Sequence, residues 1–230
     1  MSDYERYGDY NDIEEDAPKS KSPVMLILKI LIAVVCVGVV GLLAFRLIIF
    51  NAYPDSVKNI FFNEKLTAYY NEHSGNIGAK TQDIYAPYDD NEEGNFFCDH
   101  LVVIEGAEQL QITVRYNTGN LERISEQVGI ALDDNDPSIF EFRLVDNYER
   151  VYTNIGGSAF DKMFNYRYQK LVFDDVKFDY ADGTHPEWIR LEVFVKGYDS
   201  EEPYAMICIY ENNERYSEFS DYKLSSKETP

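Results

Sequence analysis

The chain has 230 residues, 41 of them acidic and 21 basic, so its formal net charge at pH 7 is −20. Nucleic-acid binding requires clustered Lys and Arg, and docking on an anionic lipid surface requires basic residues too, so the charge argues against both functions. The hydrophobic fraction of 45% and the charged fraction of 27% are those of a globular protein. Aromatic residues reach 15% of the chain, which is enough to build a sizeable core.

The first 50 residues divide into an acidic tail and an apolar segment. Residues 1–23 carry seven acidic side chains and few aliphatic ones, so they bury too little apolar surface to order a backbone and are predicted to be disordered. Residues 24–50 read VMLILKILIAVVCVGVVGLLAFRLIIF, in which only Lys29 and Arg46 are charged. At about 1.5 Å per residue this segment reaches roughly 40 Å as a helix, more than the roughly 30 Å hydrocarbon core of a bilayer. We therefore predict a transmembrane helix over 24–50.

The flanks of this helix predict how it is inserted. No small-x-small cleavage site follows Phe50, which favours an uncleaved signal anchor over a signal peptide. Lys and Arg are nearly balanced on the two sides, but Lys19 and Lys21 lie in the short tail directly before the helix. We expect a single-pass protein of the cell membrane with a cytoplasmic N-terminus and an extracytoplasmic C-terminal domain.

Residues 51–95 are predicted to be a juxtamembrane segment of short helical turns and irregular structure. Pro54 and Asn63 are typical of helix starts. The remainder of the segment is acidic and rich in turn-forming residues, which predicts a connection with room for one edge strand.

From Phe96 onward the hydrophobic period changes to two, which is typical of strands with one buried face. Apolar and polar residues alternate over 110–116, 140–144 and 189–195. The wholly apolar run 204–210 predicts a central strand. Further strands are predicted at 101–104, 151–153 and 166–178, and one helix at 121–128.

Seven or eight short strands separated by turns predict an antiparallel β-sandwich over residues 96–216, followed by a polar C-terminal tail at 217–230. The clearest strand and turn patterns are ITVRYN at 112–117, FEFRLVDN at 140–147 and LEVFV at 191–195. In these segments the chain resembles the Ig-like β-sandwich ectodomains found behind single membrane anchors or lipoprotein signals in bacterial envelope proteins. The resemblance implies the fold and a place outside the membrane, and it transfers no catalytic or binding residue.

Two acidic clusters are candidate calcium ligands. Asp89, Asn91 and Glu93 match the first half of a calcium-binding loop, but a histidine stands where that loop requires a bidentate glutamate. Asp133 and Asn135 belong to the second cluster. The alternative for both is a solvated turn, in which Asp and Asn bond nearby backbone groups.

Three cysteines occur, one of them within the apolar segment. The other two, Cys98 and Cys208, could form a disulfide if the domain lies outside the cytoplasm. Two buried thiols are the alternative, because free cysteine packs as a small hydrophobic residue.

Aromatic residues near predicted strand ends are candidates for a sugar- or peptide-binding face. Trp188, Tyr198 and Tyr204 offer flat contact area at a small loss of conformational entropy. Packing in the core and on the sheet faces is the alternative, because aromatic residues favour pleated surfaces in general.

Sequence motifs of catalysis do not stand out. The three histidines lack zinc-ligand spacing, and neither a Gly-x-Ser-x-Gly motif nor a phosphate-binding glycine loop occurs. We predict a membrane-anchored extracytoplasmic interaction or accessory module without catalytic activity or cofactor, which binds a protein or glycan partner. The alternatives are a calcium-dependent adhesion or sensing domain that uses the loops near Asp89 and Asp133, and, less favoured, an envelope hydrolase.

Overall fold

A computed structural model describes residues 23–51, 53–82, 84, 96–133, 135–136, 138–154, 160–178, 185–211, 219–224, 228 and 230. The chain divides into two compact units, Met1–Ala52 and Tyr53–Pro230. Within these described residues, the first unit contains one long helix, and the second contains two β-sheets with short helices.

Helix α1 spans Pro23–Asn51, so the helix predicted over 24–50 is confirmed to within one residue at each end. A proline at the first helical position is favourable, because that residue needs no hydrogen-bond donor there. The part Pro23–Ile48 has a mean hydropathy of 3.0 and is long and apolar enough to cross a membrane.

The helical turns predicted after the apolar segment are present. Helix α2 (Asp55–Lys58) begins directly after Pro54. Helix α3 (Glu64–Glu72) begins after Asn63, whose side-chain oxygen accepts a hydrogen bond of 2.9 Å from the backbone N–H of Leu66. This contact is an N-cap, and it explains why the helix starts at that residue.

The part of the second unit that the structure describes contains ten strands and, besides α2 and α3, helix α4 (Leu121–Val128), whose predicted bounds are the same. The strands are β1 (Lys80–Gln82), β2 (Phe96–Ile104), β3 (Gln109–Asn117), β4 (Phe140–Asp146), β5 (Val151–Thr153), β6 (Phe160–Met163), β7 (Tyr166–Asp174), β8 (Trp188–Val195), β9 (Ala205–Glu211) and β10 (Ser220–Asp221).

These strands form two antiparallel sheets. Sheet A has the order β10-β1-β2-β3-β7-β6, and sheet B has the order β5-β4-β8-β9. The fold is therefore mainly antiparallel β, as predicted. The alternating patterns that predicted β3, β4 and β8 are matched by alternating burial along β4 and β8, but not along β3, where eight consecutive residues are buried.

Two strand predictions need correction. The run 204–210 is not central, because β9 is the last strand in the order of sheet B. Its outward side chains Met206 and Cys208 are apolar but only half-buried. An apolar run in the sequence therefore does not distinguish a strand with one accessible apolar face from a strand that is buried on both faces. The strand predicted over 166–178 is shorter, because Asp175 adopts a positive φ of 60° directly after β7.

The inner faces of the two sheets share one buried apolar cluster, called here the interior cluster. One part of this cluster is aromatic: the ring of Phe96 contacts the rings of Tyr116, Phe140 and Tyr204. Members from the middle strands are Leu110, Ile112 and Val114 of sheet A and Leu144, Leu191 and Val193 of sheet B.

A second buried cluster lies on the outer face of sheet A. It brings Ile60 and Leu66, from the segment before the sheets, against Val102 and Ile104 of β2. The C-terminal residues join it, since Tyr222 and Leu224 pack against the cluster. Segments 51–95 and 217–230, which we predicted to flank the sandwich, thus contribute described residues to the same compact unit as the sheets.

One prediction tests how tightly α3 packs on this face. A Cβ atom added to Gly106 would lie 2.0 Å from the hydroxyl oxygen of Tyr69 and 2.7 Å from its Cζ atom. We expect Gly106→Ala to lower the free energy of unfolding by about 1 to 3 kcal/mol through overpacking, measured by urea denaturation. The double variant with Tyr69→Leu should recover most of the loss, and an equal loss in both variants would contradict this packing.

Candidate functional site

The calcium hypothesis receives no support from the described residues. Asp89, Asn91 and Glu93 lie outside them. Asp133 is exposed, and its Oδ1 atom accepts hydrogen bonds from the backbone N–H of Asn135 at 2.9 Å and from its side-chain amide at 3.2 Å. This is the local turn arrangement considered as the alternative. In the part of the chain that the structure describes, no three His, Cys, Asp or Glu side chains are grouped so as to hold a metal.

Cys98 and Cys208, considered for a disulfide, are both free thiols in the structure. Cys98 belongs to the interior cluster, and burial raises the pKa of its thiol to about 12. Cys208 alternates along β9 with the inward-facing Ile207 and Ile209, so its side chain lies on the outer face of sheet B. The two sulfur atoms therefore lie on opposite sides of sheet B, which favours two thiols over a disulfide.

The three aromatic residues considered for a ligand face do not lie together. Trp188 begins β8, whereas Tyr198 follows the end of that strand in the turn before β9. At about 3.3 Å per residue, the seven steps along β8 separate these two ends by roughly 23 Å. Tyr204 lies near Tyr198 in the chain, and its hydroxyl donates a 2.7 Å hydrogen bond to Gln127. Only Trp188 remains a candidate on the face of sheet B described below.

A small pocket lies between the two sheets. Its volume is about 50 Å³, roughly a third of a cavity of about 150 Å³ that binds benzene, so an aromatic ring does not fit. Its rim carries the ion pair of Lys80 and Glu105 at 3.1 Å. The apolar lining comes mainly from Leu101, Val103, Leu110, Phe178, Ile189, Tyr210 and Phe219. Its size makes it a packing gap rather than a ligand site.

The outer face of sheet A is covered by the chain itself. The side-chain amide of Gln111 donates to the carbonyl of Phe61 at 2.8 Å, and its oxygen accepts from the N–H of Phe61 at 2.9 Å. Thr113 donates a 2.7 Å hydrogen bond to the carbonyl of Val57. These side chains bind the backbone of the covering segment as a neighbouring strand would. Four outward polar side chains of β3 are buried, namely Gln109, Gln111, Thr113 and Arg115, and the last one, Asn117, is half-buried.

The C-terminal part of the chain also contributes to the cover of sheet A, and it places the buried carboxylate of Glu228 there. The carboxylate of Glu228 accepts a 3.1 Å hydrogen bond from the N–H of Ile60 and another from the hydroxyl of Tyr222. Lys170 of β7 is fully buried, and its Nζ atom has no hydrogen-bond partner among the described residues. Burial lowers the pKa of Lys170 to about 8, and the negative charge of Glu228 opposes that shift. The carboxylate thus partly compensates a buried cation.

Sheet B presents the opposite situation on its outer face. Along β8 the inward side chains are buried, whereas the outward ones are half-buried. The outward side chains of the whole sheet are called here the open face, and none of them is buried. They are Glu141, Arg143, Val145, Val151, Thr153, Trp188, Arg190, Glu192, Phe194, Met206, Cys208 and Glu211.

Two arginines on the open face stack on aromatic rings. The Cζ atom of Arg143 lies 4.3 Å from the centre of the Phe194 ring, and that of Arg190 lies 4.4 Å from the centre of the Trp188 ring. Such distances are those of cation–π contacts. Arginine, aromatic residues and methionine are the types that are enriched in protein–protein interfaces. The open face therefore has the composition of a binding surface.

No known protein family, curated protein or solved structure matches the chain in these comparisons. Within the described residues, the feature that most resembles a functional site is the open face of sheet B, in contrast to the covered face of sheet A.

Proposed function

We propose that the protein is a membrane-anchored interaction module without catalytic activity. In this proposal α1 crosses the cell membrane with its N-terminus in the cytoplasm, and the unit Tyr53–Pro230 stands outside as an Ig-like β-sandwich that binds a partner protein through the open face.

The strand order supports an Ig-like sandwich. Ig domains place strands A, B, E and D in one sheet and strands C, F and G in the other, with C′ added beside C in variable-type domains. The order β2-β3-β7-β6 in sheet A and β5-β4-β8-β9 in sheet B corresponds to A-B-E-D and C′-C-F-G. In this correspondence β1 and β10 are additions beside strand A.

The observation that carries the functional proposal is the difference between the two outer faces. On sheet A the chain's own segments cover the outer face, and polar side chains there such as Gln111 and Thr113 are fully buried. On sheet B the outward side chains stay accessible although they include Trp188 and Phe194. A module that covers one sheet with its own chain and leaves arginine–aromatic pairs accessible on the other has one sheet surface available for a partner.

The anchoring part of the proposal is supported by α1 and by charge. The helix is long enough to cross a bilayer, and Lys19 and Lys21 lie directly before it in the sequence. The net charge of −20 disfavours adsorption of the domain to anionic lipid, so a membrane-held protein of this kind is free to bind other proteins.

Site-specific photocrosslinking tests the function. A benzoylphenylalanine at Thr153, which is exposed on the open face, should yield a discrete crosslinked partner in intact cells. The matched control is Glu72, which is exposed on α3 at the covered side and should yield none. Trp188→Ala should remove the Thr153 adduct. Equal adducts from the two positions, or none from Thr153, would overturn the proposal.

A further inference from the structure

Arg190 differs from Arg143, the other arginine of the open face, because it has no carboxylate partner among the described residues. The structure shows no ion pair to it among the described residues. Its one polar contact within the described part of the chain is from Nη1 to the sulfur of Met206 at 3.7 Å, and thioether sulfur is a weak acceptor. The Nε atom is buried and has no acceptor among the residues that the structure describes.

A shortage of acids does not explain this. The chain holds 41 acidic and 21 basic residues. On the same face Arg143 is paired with Glu192, and nearby Arg150 is paired with Asp146 at 2.8 Å. An arginine that stays unpaired in such an acidic protein has a side chain whose hydrogen-bonding capacity is available to another molecule.

The surroundings of the Arg190 guanidinium also favour the binding of an anion. The Trp188 ring beneath the guanidinium restricts its orientation. Val145 of β4 and Cys208 of β9 lie opposite Arg190 in the two ladders, and Met206 contacts its Nη1 atom. Apolar neighbours keep water away, which strengthens a charge-assisted hydrogen bond to a carboxylate, and a guanidinium can bind both carboxylate oxygens at once.

Resting on the proposed function, we propose that Arg190 is the anchor for a carboxylate of the partner protein, presented by an Asp or Glu side chain with apolar neighbours. The apolar neighbours of that carboxylate would pack on Val145 and Met206 beside Arg190, and on the exposed Val151 of the next strand. The net charge of −20 would repel a strongly acidic surface at long range. A single carboxylate within an apolar patch packs against these apolar residues and avoids the long-range repulsion.

Trp188 is the only tryptophan of the chain, so its fluorescence reports directly on this site. The full-length protein in detergent is titrated with tryptophan-free peptides that carry one Asp or Glu between Leu or Val residues. Each has a twin with Asn or Gln at that position. We expect a saturable emission change with the acidic peptides and at least tenfold weaker binding of the amide twins, because the charge-assisted contact is lost. Arg190→Gln should remove this preference, and Arg190→Lys should reduce it.

Arg143→Gln is the matched control, because that arginine already has a partner and its loss should leave the preference for acidic peptides intact. The inference is overturned if acidic and amide peptides bind alike, if no acidic peptide changes the emission, or if the preference survives in Arg190→Gln. It is also overturned if glucuronate saturates the site and the peptides do not, since the carboxylate would then belong to a sugar. Thr153 crosslinks that do not depend on Arg190 would overturn this inference and leave the proposed function standing.

Discussion

Glu228→Ala is expected to lower the free energy of unfolding by about 3 kcal/mol at pH 7. The variant removes the acceptor for the buried N–H of Ile60 and for the hydroxyl of Tyr222. It also removes the negative charge that partly compensates the buried amine of Lys170. An uncompensated buried charge and two orphaned donors account for the size of the effect. The loss is measured by urea denaturation of the full-length protein in detergent, followed by Trp188 fluorescence.

The pH dependence of the free energy of unfolding gives an independent check on the buried charge of Lys170. Burial lowers its pKa from 10.5 to about 8, so between these values the unfolded chain binds more protons at this residue. The destabilisation of the fold by the buried Lys170 cation is therefore complete below pH 8, and it is relieved as the pH rises towards 10.5. Lys170→Met removes the buried charge, and its stability relative to the parent protein should be about 1 kcal/mol more favourable at pH 7 than at pH 9.

A double-mutant cycle separates these contributions. In the double variant Glu228→Ala with Lys170→Met, no buried amine remains to be compensated, so the loss should be smaller than that of Glu228→Ala alone. Strictly additive effects, or a relative stability of Lys170→Met that does not change with pH, would contradict the electrostatic coupling between the two side chains.

Phe96→Ala is expected to be at least as damaging, with a loss of about 3 to 5 kcal/mol. The ring is fully buried where the two sheets meet, and it contacts the rings of Phe140 and Tyr204 at centroid distances of 4.8 and 6.2 Å. Its removal leaves a cavity that these neighbours fill only in part. The matched control is Phe164→Ala, where the ring is 58% exposed, and the change should stay within about 0.5 kcal/mol. Similar losses at both positions would contradict the placement of Phe96 in the core.

Elements whose signal is local could be predicted from the sequence. The helix α1 follows from an apolar run, and α3 follows from Asn63, which caps it through a residue only three positions away. The strands β4 and β8 follow from strict alternation, because one face of each is buried and the other is accessible. In each case the residues that determine the element lie within it or beside it.

The covered face of sheet A could not be predicted in this way. Gln109, Gln111, Thr113 and Arg115 alternate with apolar residues and therefore read as a water-facing row. They are buried because segments distant in sequence lie over them, and Gln111 bonds to a residue 50 positions away. Glu228 lies in a stretch whose polar composition predicted a tail, and its burial likewise depends on contacts with Ile60.

The candidate site was predictable only in part. Trp188 was recognised as a potential contact residue, but its assumed neighbours Tyr198 and Tyr204 lie at the other end of β8. The stacking of Arg190 on Trp188 depends on a spacing of two along one strand, which is visible once that strand is known. Arg190 forms no ion pair among the described residues although Glu192 lies two residues further along the same face of β8, and this follows only from the three-dimensional arrangement of the side chains.

The central claim is that α1 anchors a folded unit outside the cytoplasm. Its most direct test is protease protection together with membrane-impermeant labelling of intact cells that carry a tag after Pro230. We predict that the tag is accessible from outside while residues before α1 are protected. Protection of the tag in intact cells, with accessibility only after the membrane is permeabilised, would place the folded unit in the cytoplasm and contradict the account.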